Sequence, residues 1–206
     1  DPDLILSAPF TITKQSFWRK MRRDILGITG YQRRMETFRI EMGNDPSRLQ
    51  RWKKLFQAEK YFALTNLLVF AGTTAAGVWW AYFALWLLPL LTWYQVISRI
   101  RNIAEHAVVG NNDDRLRNTR TTLANWGMRM VLAPYWVNYH LEHHLFVFTP
   151  CWKLPAAHRI LIEQGFGPRM ELAGGYTEVL RKAVSQAHDD PSRGVPQDTR
   201  KRSALI

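Results

Sequence analysis

The sequence predicts an all-α fold, an integral membrane helical hairpin followed by a helical cap. Three observations carry this. No charged residue occurs between Tyr61 and Val96. That run of about 36 residues is too long for one membrane span, which takes roughly 20, and near the minimum for two. Lys53, Lys54 and Lys60 precede it, and Arg99 and Arg101 follow it, so both ends carry the positive flank of a cytoplasmic face. Beyond it, His140, His143 and His144 are spaced so that one helical face could present all three.

The composition narrows the partners. The chain is 47% hydrophobic with nine Trp, yet its mean hydropathy is only -0.25, because the apolar residues are concentrated in one stretch. A net charge of +11 suits either nucleic-acid phosphate or an anionic membrane surface. The uncharged run selects membrane lipid and sets nucleic acid aside. The single cysteine, Cys151, excludes an intrachain disulfide and a cysteine-based metal site, and suits a small packing role.

Four segments follow in order. Residues 1–60 form an interfacial or cytoplasmic helical segment. Asp1-Pro2-Asp3 and Ser7-Ala8-Pro9 are turn chemistry. Over 13–26, Phe17, Trp18, Met21, Ile25 and Leu26 interleave with Lys14, Arg19, Lys20, Arg22 and Arg23, the pattern of a helix lying in the membrane interface. Gly43-Asn44-Asp45-Pro46 is a break. Residues 61–98 form the hairpin, outward over 61–76 and back over 79–98. It reverses within Gly72–Gly77, and Trp79, Trp80 and Tyr82 fall near the turn, where an aromatic belt would lie. Residues 99–187 form the cytoplasmic cap. It continues the second helix to His106, runs through a polar loop at 110–122, and makes a short amphipathic helix at 125–131. Ala133-Pro134 breaks the chain before the histidine helix, which Pro150 ends. Pro155 opens a short helix carrying His158 and Arg159, and a last amphipathic helix covers 169–188. Residues 188–206, rich in Asp, Pro, Arg and Ser, are expected to be disordered.

The chemistry gathers in the cap. Neutral imidazole is a good ligand for iron, zinc, copper or nickel, so His140, His143 and His144 point to a transition-metal site. His106, at the cytoplasmic end of the second hairpin helix, is a fourth candidate. Asn102 shares its face one turn earlier and could reach a metal through water. Glu105 and Glu142 each directly precede a histidine and suit accepting from a ligand imidazole N–H. His158, in a separate helix, and His188, in the tail, are not expected as ligands. A zinc peptidase needs Glu directly after the first of two His at i, i+4; here Leu141 follows His140, so that pattern fails. Bis-histidine haem in a membrane bundle uses single, widely spaced histidines. Many histidines with few carboxylates at a membrane face favour redox-active iron handling oxygen.

At these residues the sequence resembles the membrane fatty acid desaturase and hydroxylase family. The resemblance rests on Arg101–His106 (Arg-Asn-Ile-Ala-Glu-His), Asn118–Thr122 (Asn-Thr-Arg-Thr-Thr) and Asn138–Leu145 (Asn-Tyr-His-Leu-Glu-His-His-Leu). Leu154–Arg159 (Leu-Pro-Ala-Ala-His-Arg) and the opening Asp1-Pro2-Asp3-Leu4 support it. It covers most of 1–165. It implies a non-haem centre of two iron ions held almost wholly by histidines, with O2 as co-substrate and an external electron donor such as ferredoxin or a cytochrome. By motif His140, His143 and His144 match the last histidine box and His106 the isolated ligand. Asn102 matches a water-bridging Asn of the stearoyl-type members. The first two boxes, which supply about half the ligands, are absent. The expectation is therefore the C-terminal portion of a longer enzyme, incomplete by itself. The implied activity is desaturation of an acyl lipid or acyl-CoA, in an integral membrane protein of the bacterial cytoplasmic membrane with its metal site on the cytoplasmic side. Hydroxylation of alkane, terpenoid or carotenoid substrates is the alternative with the same chemistry, and an inactive metal-binding fragment the alternative without it. Arg117 and Arg120 could receive a substrate head group or a donor's acidic face, or be solvated loop charges.

Overall fold

The computed structural model of the chain describes residues 10–110 and 113–185. The turn expected over 1–8, the tail from 188 and His188 lie outside them. The described chain is mostly helical, with strands limited to two two-residue segments. It divides into two units, Lys20–Val96 and Asp1–Arg19 with Ile97–Ile206.

Helix α1 (Lys14–Ile25) occupies the expected interfacial stretch. In the first unit α2 (Ile28–Met42) ends at Gly43, and α3 (Arg48–Ala75) begins after Ser47, whose side chain accepts from the Gln50 N–H. The Gly43–Pro46 break therefore falls between the two helices. The chain reverses at Gly77, whose φ of +75 suits glycine. Phe70 then packs edge-on against Tyr82 and Phe83, while Asn66 Oδ1 accepts from both Tyr82 Oη and Trp86 Nε1.

The returning chain is less regular than a plain span. Tyr82–Leu87 is a π-helical stretch, followed by α4 (Leu88–Leu91) and α5 (Trp93–His106). Pro89 lacks the N–H an α-helix would use there, and widening to i→i+5 bonding is one way to absorb it. The Gln95 side chain donates to the Leu90 carbonyl, and the Thr92 hydroxyl to that of Leu88. Tyr82–His106 is the one helix among the described residues long and apolar enough to cross a membrane. The outward arm does not reach that level. Thr65, Asn66, Thr73 and Thr74 interrupt its apolar side chains, each bonded back to a carbonyl of its own helix.

The second unit packs Phe10 and Ile12 with Ile103, Ala107, Val179 and Ala183, and the Ile12 N–H donates to the Ala183 carbonyl. After α5 come β1 (Thr121–Thr122), α6 (Trp126–Val131), α7 (His140–Leu145), α8 (Leu154–Glu163), β2 (Leu172–Ala173) and α9 (Tyr176–Ala183). The expected polar loop at 110–122 thus ends in a buried strand, paired in parallel with β2. The helix expected over 169–188 starts only at Tyr176, because Leu172–Ala173 serves that pairing and Gly174-Gly175 intervenes.

Candidate metal centre

Helix α5 delivers His106 as its last residue, and α7 begins on His140. His140 and His144 stand one turn apart on α7 and so share a face. The Nε2 atoms of His106 and His140 lie 3.0 Å apart, as do those of His144 and His140. His106 and His140 are buried and His144 half-buried. Among the described residues this trio is the group of three or more His, Cys, Asp or Glu whose ligand atoms converge.

The donor set fits a transition metal. One nitrogen from each of the three imidazoles lies within 4.8 Å of the others, close enough for all three to hold a single ion. Burial, with His106, His144 and His143 nearby, pushes the His140 pKa down to about 2. Its imidazole is therefore neutral at physiological pH, the form that ligates.

The remaining residues that the sequence singles out are distributed around the trio. His143 is exposed, its ring centroid 5.8 Å from those of both His140 and His144. An i+3 step turns it about 60° from the His140 direction, so it stands at the edge of the face. Asn102 is half-buried on α5, one turn before His106. Glu105 is buried, and Arg101 Nε donates to its Oε1 at 3.3 Å.

Glu142 is fully buried. Thr121 Oγ1 donates to its Oε2, and His158 Nδ1 lies 2.6 Å from its Oε1. His158, passed over by motif spacing, thus joins α8 to the histidine helix; the spacing of 142 and 158 holds no sign of it. Arg117 is exposed, but Arg120 is 1% exposed and faces inward. Its guanidinium donates to the carbonyls of Ala104, Ala107 and Val108 and to Glu171. It therefore receives neither head group nor donor protein.

Among known families, fatty acid desaturase matches residues 1–170. The chain belongs to the fatty acid desaturase family. A curated relative, dihydrorhizobitoxine desaturase of Bradyrhizobium elkanii, is 32% identical over 107 residues, 51% of this chain and 30% of that relative. The chain thus matches less than a third of that relative's length. No solved structure matches. Membership supports a desaturase-type oxidoreductase, and the family's usual iron dependence agrees with a three-imidazole site.

Proposed function

We propose that this chain forms part of an O2-dependent, non-haem di-iron desaturase that introduces a C=C bond into an acyl lipid or acyl-CoA at the membrane. The convergence of His106, His140 and His144, at the end of an apolar helix in a chain of the desaturase family, carries this reading. The three imidazoles would hold one ion, with Asn102 reaching it through water. His143, exposed at the edge of the trio, is the candidate ligand for a second ion, its remaining ligands coming from outside this chain. Bound iron would supply the one-electron redox chemistry that activates O2.

The chain's own residues do the rest. Burial keeps His140 neutral and ready to bind. Tyr82–His106 would cross the membrane and bring His106 to its cytoplasmic face. Only 11% of its most apolar window is buried, whereas the core helix of a soluble protein would be mostly buried. The outward arm would complete the hairpin: Leu64, Leu67 and Leu68 are exposed on α3, as lipid-facing side chains would be. The basic surface would dock an acidic electron donor such as ferredoxin or a cytochrome, and anionic lipid.

Expression of the full-length protein in a desaturase-free host tests the reading. A new double bond in the acyl lipids is expected, with iron bound to the purified protein. A hydroxylated product would replace desaturation by oxygen insertion, and iron-free protein would refute the metal centre. His143→Ala should abolish product while the protein stays in the membrane fraction.

A further inference from the structure

Between the two elements that bring the histidines runs the buried tripeptide Arg120-Thr121-Thr122, each residue no more than 2% exposed. A strand points successive amides in opposite directions, and here the alternation has a use. The Thr121 and Leu123 N–H groups donate to Glu171 and Ala173. The Arg120 N–H donates instead to the Glu105 carbonyl, one residue before His106. The Thr122 N–H donates to the carbonyl of Asn138, two residues before His140.

The side chains repeat the division. The guanidinium of Arg120 takes up the Ala104, Ala107 and Val108 carbonyls around the end of α5 at 3.2, 3.0 and 2.6 Å. These are carbonyls that a helix terminus leaves without helical partners or nearly so. The Thr121 hydroxyl donates to Glu142, which sits between His140 and the pair His143 and His144. Asn138 Nδ2 donates back to the Thr122 carbonyl at 3.1 Å.

We infer that Arg120-Thr121-Thr122 is a positioning bracket that sets the distance and orientation of His106 relative to His140 and His144. It touches no metal itself. Arg120 fixes the helix end that carries His106, and Thr121 fixes α7 through Glu142. The inference rests on the metal-centre reading. It adds a claim about residues that bear no metal-binding chemistry of their own.

The test uses Co(II), whose visible ligand-field bands report the geometry of its ligands, titrated into the full-length protein in detergent. Thr121→Val deletes one hydroxyl at nearly constant shape; Thr121→Ser keeps the hydroxyl. Arg120→Lys keeps the charge but loses the fork that spans several carbonyls. Thr121→Val and Arg120→Lys should bind Co(II) about 10- to 100-fold more weakly, with shifted bands and an unchanged circular dichroism spectrum. Thr121→Ser should restore both affinity and bands. Affinity and bands of Thr121→Val and Arg120→Lys equal to those of the unsubstituted protein would overturn the bracket and leave the metal centre standing. No Co(II) binding by the unsubstituted protein would overturn the metal centre and the bracket together. If neither Thr121→Val nor Arg120→Lys folds, the tripeptide is a folding element and the positioning role is wrong.

Discussion

At the scale of single residues, the convergence of His106, His140 and His144 was legible because metal chemistry restricts residue type and helix geometry restricts spacing, whereas His143, expected on the same face, stands exposed at its edge. His140 and His144 needed only the i, i+4 rule, and His106 needed its place past the apolar run. The roles of Arg120 and His158 were not legible in the same way, and Glu142, expected beside a ligand imidazole, has Thr121 and His158 as its partners. A charged residue in a polar loop is usually solvated, and nothing local tells that Arg120 turns inward onto the end of α5. The unfolded imidazole of His140 titrates near 6.5 and the folded one near 2. Within that window the unfolded chain binds the extra proton, so the metal-free protein loses stability as pH falls below about 6.5. Thermal midpoints at pH 7.5 and pH 5 should show the drop, and His140→Gln should make it smaller; an unchanged slope in that variant would put the titration elsewhere. Glu142→Ala removes the partner of both Thr121 and His158 from a fully buried position. A loss of about 3 kcal/mol is expected in chemical unfolding, and a loss below about 1 kcal/mol would show that the carboxylate is not structurally engaged.

At the scale of elements, punctuation was informative and pairing was not. Gly43–Pro46 and Gly77 mark breaks that the backbone makes, because glycine conformation and proline geometry act locally. Strand β1 is two residues long, too short for any alternation to show, and exists only because β2 and Asn138 supply partners from far along the chain. The same distance effect shortened α9, whose predicted first turns are taken up by β2 and the Gly174-Gly175 step. The close approach of α2 to α4 was equally silent in sequence. A Cβ on Gly30 would stand 2.4 Å from the Leu91 carbonyl oxygen and 2.8 Å from its Cα. Both are backbone atoms that cannot rotate away. Gly30→Ala should therefore cost about 2 kcal/mol or more, seen as a lower thermal midpoint in detergent; a neutral substitution would mean the helices separate easily.

At the scale of the whole molecule, composition and family pointed the same way, toward a helical protein with an apolar segment that needs covering. Leu64, Leu67, Leu68, Leu85 and Trp86 are exposed, as side chains covered by lipid would be. Alkaline carbonate washing should therefore leave the protein with the membrane pellet, and release into the supernatant would overturn the spanning reading. The bracket also bears on how the site folds. His106 and His140 are separated by 34 positions, whereas Arg120 reaches Ala104 across 16 and Thr121 reaches Glu142 across 21. Closing one long loop before any bond forms would be an unrewarded entropy loss. With the tripeptide midway, the chain can close two shorter loops, each ending in its own hydrogen bonds, so the imidazoles can be brought together by steps before a metal arrives to hold them.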